Sequence, residues 1–398
     1  MNTHPKPDAC PVCTASGAHH FFSQKGVPIQ CGRLASNREE ALRAPTGDIE
    51  LCHCRICSHV WNAWFDPAKV GFDPEYDLSL YHSQRYREYV AGAIERLKMR
   101  YHLEGKTAVD IGCGKGDLMR MLIAQGFSHA IGFDPTFVDS HLSAADHQHI
   151  TVHKRFYGPN ERTLRPGLVT CRGTLQYVTN PRELLSSVRV ALEGLHDTVL
   201  CFEVLNGAEA FREHIVWYVT YETGCFFSAA SLARLFRECG FQVLDVLPAL
   251  GGAYWEIEAR PARDPIPSAE ESAEQIGQVA RDIEGFAEEY ASQVARWSES
   301  FEQFAAAGTR VVLWGAGMRA ISLLTSVSAA SGCIQHVVDV NPRRQGRFLP
   351  RSGQQVIPPE ELPAMHPDLV IATHPHYADE IGGQMRALGL DCDLLVLR

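Results

Sequence analysis

Short apolar, β-rich runs alternate with stretches of helical period along most of this chain. Thr107-Ala108-Val109-Asp110-Ile111 reads as a buried strand, and Asp117-Leu118-Met119-Arg120-Met121-Leu122 as the start of a helix. Ala130-Ile131-Gly132-Phe133 and Leu168-Val169-Thr170-Cys171 are further strands. The alternation resumes after residue 308, with strands at Arg310–Trp314, His336–Val338 and Pro367–Ala372 and a helix running through Leu324. Such alternation predicts α/β architecture, with parallel sheets covered by helices on both faces. Between the two blocks stands the Pro-rich break Arg260-Pro261-Ala262-Arg263-Asp264-Pro265-Ile266-Pro267. A long polar helix is expected from about Ser268 to Ala307. Residues 1–75 show little helical pattern. Four segments follow: 1–75, 76–260, a linker and long helix at 261–307, and 308–398.

Composition narrows the function classes. Apolar residues make up 45% and charged residues 21% of the 398, which suits packed cores rather than a disordered chain. No apolar run reaches the roughly 18 residues of a membrane span, and the N-terminus carries no apolar signal core. The net charge of −10 argues against broad binding to nucleic acid or to an anionic membrane. Thirteen cysteines without a secretory signal read as reduced thiols of a cytoplasmic protein, some of them metal ligands.

The N-terminal segment holds Cys10-Pro11-Val12-Cys13 and Cys54-Arg55-Ile56-Cys57. Each pair can turn two thiolates onto one ion, and two pairs complete the four-sulfur shell that zinc prefers at a closed structural site. Buried thiols or redox pairs are the alternative, and Cys31, Cys52, His53 and His59 stand as spare ligands.

The first strand of the middle segment runs into Gly112-Cys113-Gly114-Lys115-Gly116. Glycines there permit a tight turn and close backbone approach to a ligand at a helix N-terminus. Asp110 precedes the loop, and Asp134 ends the next strand about 20 residues past Gly114, where an acid can accept from ribose hydroxyls. A dinucleotide or a purely structural turn competes with this reading. The leading Asp and the G-x-G-x-G spacing resemble the class I S-adenosylmethionine (SAM) methyltransferases. That resemblance implies that Asp110, Gly112, Gly114 and Gly116 flank the amino-acid part of SAM, that Asp134 holds its ribose and that Gln176 lies on the loop after the fourth strand. Gly167 stands where that class usually has an Asp.

The full order of motifs resembles the three-domain C-methyltransferases that act on nucleotide-linked keto-deoxysugars. It includes both cysteine pairs, the SAM loop, Cys201–Asn206, Tyr221–Ser228, Val311–Gly317 and Val337–Pro342. The resemblance implies a class I SAM methyltransferase Rossmann-like domain, flanked by a small zinc module and a C-terminal Rossmann-like α/β domain. It implies a small-molecule acceptor in specialised metabolism, such as a nucleotide-linked sugar, and places Tyr81 over the cofactor. One departure falls on the chemistry. The family reads Tyr-Glu-His-x-x-Tyr-Phe, with His as base, where this chain has Tyr221-Glu222-Thr223-Gly224-Cys225-Phe226-Phe227. The substitute base is then Glu222, His214 or Tyr221; or the acceptor needs little base; or transfer goes to oxygen, nitrogen or sulfur.

Gly315-Ala316-Gly317-Met318-Arg319-Ala320 fits a dinucleotide fingerprint with Asp339 as its acid, in what reads as half of such a fold. Acceptor binding, a structural turn or bound NAD are its readings. Arg319, Arg343, Arg344 and Arg347 can meet an acidic acceptor, and His374 and His376 follow a strand end, where α/β sheets bind ligands. A zinc-ribbon nucleic-acid binder with a vestigial SAM fold is the rival from another class.

Overall fold

The computed structural model describes residues 9–264 and 273–398 and holds three sheets. The middle sheet has seven strands. From one edge they are Ile150–His153, His129–Phe133, Thr107–Ile111, Leu168–Arg172, Val199–Leu205, Tyr254–Pro261 and Phe241–Ala249. Only Tyr254–Pro261 runs against its neighbours. Val199–Leu205 is buried at every residue, which explains why it is apolar except at Glu203. The chain leaves Thr107–Ile111 toward one edge and returns to Leu168–Arg172 on the other side. That reversal opens a crevice beyond the carboxyl ends of these two strands, the usual ligand position in such sheets.

Helix Gln84–Tyr101 covers this sheet. Ser83 caps its start by accepting from the Tyr86 N–H, and His102 ends it in the left-handed region. Tyr86, Val90, Ala93, Ile94 and Leu97 form its buried stripe at helical spacing. On its other side Arg96 and Arg100 reach the fully buried Glu258 of strand Tyr254–Pro261, at 3.2 and 2.8 Å. The pairing compensates a carboxylate that burial would otherwise penalise.

The C-terminal sheet is wholly parallel, ordered Gln355–Ile357, His336–Val338, Val311–Trp314, Leu369–Ala372, Asp393–Val396. It is thus a complete five-stranded unit rather than a half-fold, and it repeats the strand-order reversal beside its first strand. The long polar helix is two helices, Ala273–Asp282 and Phe286–Ala307, parted at Gly285, whose φ is 75°. Residues 265–272, including part of the Pro-rich break, lie outside the described residues. No helix among the described residues is long and apolar enough to cross a membrane.

The N-terminal sheet differs most from the sequence reading. His19–Pro28, Thr46–His53 and Val60–Asn62 pair antiparallel, and the fourth strand is Cys225–Phe226, from the middle segment. Phe226 pairs with Val60 and Cys225 with Trp61. Phe226, where the family has Tyr, is therefore a sheet residue packed on Phe211. One continuous core runs from Phe22 and Ile49 through Trp217 and Tyr221 to Leu313 and Val337.

Phe286 is a keystone of that core. It is 1% exposed and meets Phe21, Phe22 and Phe211 at ring separations of 6.2, 5.4 and 5.2 Å. Phe286→Ala should cost about 3–5 kcal/mol, as burying a cavity of that size does. Denaturant unfolding followed by tryptophan fluorescence will show the shift in midpoint.

Candidate active site

The four cysteines come together. Cys10 Sγ lies 3.5 Å from Cys57 Sγ, Cys13 Sγ lies 3.5 Å from Cys54 Sγ, and all four sulfurs sit within 4.8 Å of one another. A tetrahedron of sulfurs with zinc bonds of 2.3 Å has edges of about 3.8 Å. The group therefore matches a closed structural site with no open position. The spares Cys31, Cys52, His53 and His59 do not join it.

The glycine loop takes the conformation that only glycine adopts readily. Gly112, Gly114 and Gly116 have φ of 74°, 53° and 82°, and a side chain on Gly112 would strike Thr174. Asp110 accepts from Thr170 Oγ1 at 2.8 Å. Burial lifts its carboxyl to about 7, against the lowering effects of the Thr170 bond and Arg172. Asp134 Oδ2 accepts from Gly114 N–H at 2.9 Å, and Oδ1 accepts from Thr136 N–H and Oγ1 at 2.7 and 2.6 Å. A carboxylate has about four lone-pair sites, so one remains, on Oδ2. That leaves room for one ribose hydroxyl without rearrangement. Gln176 follows the next strand on a short helical turn, and its Oε1 is buried without a partner. An orphaned acceptor beside the crevice fits a ligand that donates there.

Tyr81 stands against Tyr86, ring edge to face at 5.1 Å, in the field of Arg172, Asp110, Glu203 and Asp117. Beneath it is a cluster that sequence reading missed. Arg172 donates to Glu203 Oε2 at 2.5 Å and to Tyr89 OH at 3.1 Å, and Tyr86 OH donates to Glu203 Oε1. The available signal was a charged residue ending an otherwise apolar buried strand.

The other candidates separate sharply. Glu222 is fully buried where three segments meet. Its Oε2 accepts from Cys31 N–H at 3.1 Å and from Tyr76 OH at 3.4 Å, while Oε1 has no partner. Burial raises its carboxyl to about 7, opposed by those hydrogen bonds and by Arg344. Tyr177 shares its electrostatic neighbourhood. Tyr221 is placed otherwise. Its hydroxyl accepts from Asp66 N–H at 3.0 Å and lies 3.3 Å from Trp64 O, so it pins a turn and is not free to take a substrate proton. Thr223 is buried with its hydroxyl 2.9 Å from that of Thr220. His214 lies just past helix Gly207–Arg212 with φ 49°, its carbonyl accepting from Gln293 on Phe286–Ala307. It does not reach the Glu222 cluster.

His374 Nε2 lies 2.7 Å from Tyr218 OH, and His374 Nδ1 accepts from His376 N–H at 3.3 Å. A ring accepting at Nδ1 carries its proton on Nε2. Burial, Arg319 and His376 hold its pKa well below the usual value, so it is neutral with its lone pair engaged. This makes it a weak choice for a base. His376 sits against Gly251, at the seam with the middle sheet.

The two glycine loops are built alike. Gly112 N–H donates to Phe133 O and Gly315 N–H to Val338 O, both at 2.8 Å. Asp339 accepts from Ala316 N–H at 2.9 Å and Asn341 N–H at 2.8 Å, as Asp134 does from Gly114 and Thr136. Arg319, the second residue of the helix behind the second loop, is 3% exposed. It donates to Leu397 O and lies 5.2 Å over the Tyr218 ring, yet its Nε and Nη1 are buried without partners. No carboxylate pairs with it among the described residues. Arg344 joins the two regions, donating to Ala316 O at 2.7 Å and Cys31 O at 3.2 Å.

Comparison with known proteins agrees with this arrangement. Residues 81–246 match a family model described as a methyltransferase domain, and residues 266–391 match a C-methyltransferase C-terminal domain. The C-methyltransferase NovU of Streptomyces niveus is 25% identical over 94% of this chain and 91% of its own length. Among solved structures, the 1,6-didemethyltoxoflavin-N1-methyltransferase of Burkholderia thailandensis is 15% identical with a TM-score of 0.35. It covers 45% of this chain and 81% of its own. The magnesium protoporphyrin IX methyltransferase of Synechocystis PCC 6803 is 16% identical with a TM-score of 0.34, over 45% and 84%.

Purified protein should carry one zinc per chain by elemental analysis. Cys13→Ser should lower that content and loosen the N-terminal sheet, because a structural site contributes folding energy directly.

Proposed function

We propose that this SAM-dependent methyltransferase, similar to a C-methyltransferase along nearly its whole length, methylates carbon on an anionic keto-acceptor, a nucleotide-linked keto-sugar, with Glu222 as the base. The observation that carries the reading is the unpartnered Oε1 of a fully buried carboxyl raised to about 7. A base poised near neutral pH is what proton abstraction next to a ketone asks for. Cys31 N–H and Tyr76 OH hold the second oxygen and so fix the direction in which the first one points.

SAM, when bound, supplies a methyl group on a sulfonium centre that the acceptor carbon displaces. Glu222 Oε1 takes the acceptor's α-proton and keeps it in a site closed to water. Asp134, with its one free lone-pair site, and Gln176, with its orphaned oxygen, are the residues to hold the cofactor. The glycine loop lets the backbone approach it closely. Alignment of nucleophile and methyl group is the main contribution such a protein makes.

Arg319 supports the anionic part of the reading. A buried guanidinium without a carboxylate is costly, and the penalty falls when an anion pairs with it. A phosphate or carboxylate of the acceptor fits that need. Thr223 then marks a transfer of the base role by one residue, from imidazole to carboxylate.

The test is turnover with SAM against nucleotide-linked 4-keto-deoxysugars, read by mass spectrometry as one added methyl group and S-adenosylhomocysteine. Glu222→Gln should lower kcat by about 10²–10⁴-fold and leave SAM affinity unchanged. In the parent, kcat/KM should rise with pH through a midpoint near 7, because the carboxylate is the active form. That limb should vanish in Glu222→Gln and persist if Asp110, also near 7, sets it instead. The stability effect runs the other way. A folded-state pKa above the unfolded value stabilises at low pH and loses that contribution as pH rises from about 4.5 to 7. Asp134→Ala should weaken SAM binding about tenfold or more by calorimetry.

A further inference from the structure

We propose that Arg343 is a positioning residue that clasps residues 74–83 as a strap over the glycine loop at 112–116. The strap is fastened to that loop at two places. Lys115 Nζ, inside the loop, donates to Pro74 O at 2.7 Å. Ser79 Oγ donates to Asp117 Oδ2 at 3.0 Å, at the first residue of the helix behind the loop.

Arg343 comes from the C-terminal unit and joins both sides. Its Nε donates to Asp77 Oδ2 at 2.5 Å and its Nη2 to Asp117 Oδ2 at 3.2 Å. Asp77 belongs to the strap and is 7% exposed; Asp117 belongs to the loop's helix. One planar guanidinium thus bridges two carboxylates that would otherwise repel across the closure, a task suited to Arg's fork and not to Lys. Loss of Arg343 leaves each acid with other partners. Asp77 keeps Asn341 and Ser79 N–H, and Asp117 keeps Arg120 and Ser79 Oγ. The clasp can therefore loosen without exposing an unpaired buried charge.

The same turn reaches the second glycine loop. Asp339 holds Ala316 N–H, and Arg344 donates to Ala316 O and to Asp77 O. A shift of the 315–317 loop is thereby carried to Asp77 through two adjacent arginines. The strap is a shared closure: it retains the cofactor side under the control of residues that line the acceptor side.

The inference rests on SAM occupying the 112–116 loop, and the experiment separates the two. S-adenosylhomocysteine dissociation is followed by stopped-flow fluorescence on the full chain, without acceptor. Arg343→Ala should release it about tenfold faster or more, and Arg343→Lys by a smaller factor. Amide exchange of residues 74–83 in the ligand-free protein should quicken in Arg343→Ala, while the C-terminal sheet keeps its protection. Dissociation within twofold of the parent in both variants, with Asp134→Ala still weakening binding, overturns the clasp and leaves the cofactor placement standing. If Asp134→Ala leaves binding untouched, the placement itself falls. Faster exchange spread evenly over the chain assigns Arg343 a merely structural role and also overturns the clasp.

Discussion

The pairing of Cys225–Phe226 with Val60–Trp61 is the constraint on which the site depends. These few backbone bonds fasten the middle of the chain to the edge of the cysteine-bearing sheet. Glu222 lies just before them and is carried into a junction lined by Cys31 and Tyr76. Without that pairing the carboxyl would face solvent and behave as an ordinary acid. With it, burial dominates the hydrogen bonds that favour the charged form, and the acid becomes half-protonated near neutrality. Tyr221 supports the same placement from the other side by tying its hydroxyl to the Trp64–Asp66 turn. The four-sulfur cluster belongs to the same sheet that this pairing extends.

The charges left unpaired are distributed with the same logic. Most buried ions in this protein are matched, as Glu258 is by Arg96 and Arg100. Among the buried polar atoms left without a partner, three groups belong to the candidate site: Gln176 Oε1, Glu222 Oε1 and the Nε and Nη1 of Arg319. A folded chain tolerates such groups where a ligand completes them. Two glycine loops of one design, each braced by its own Asp, face a single intervening strap. The two loops are variants of the same local solution.

Much of this was legible in the residues. The C-x-x-C pairs announced the sulfur cluster because ligand spacing is a local property. The glycine loop with Asp110 and Asp134 announced the crevice, because the required φ angles and the strand-end acid are also local. What could not be read was whatever depends on distant segments meeting. Thr223 suggested a lost base, while the adjacent Glu222 becomes exceptional only through burial against Cys31 and Tyr76, 191 and 146 residues earlier. His374 looked suitable by position, yet the His376 N–H takes its lone pair, and burial, Arg319 and His376 depress its basicity. The long polar helix was read through Gly285 because composition there is uniformly helix-forming, and only the left-handed φ at that residue marks the break. The five-stranded C-terminal sheet was underestimated because its short strands give weak periodicity.

The split origin of the N-terminal sheet has a consequence for how the molecule is made. All four sulfur ligands are synthesised by residue 57, but the strand that completes their sheet appears only at Cys225–Phe226. At translation rates of about 5–20 residues per second, roughly 10–30 s pass between the two events. During that interval the nascent chain can gather its metal but must leave the Val60–Asn62 edge without its partner. All four ligands of the sulfur cluster are thus available well before the strand that completes their sheet.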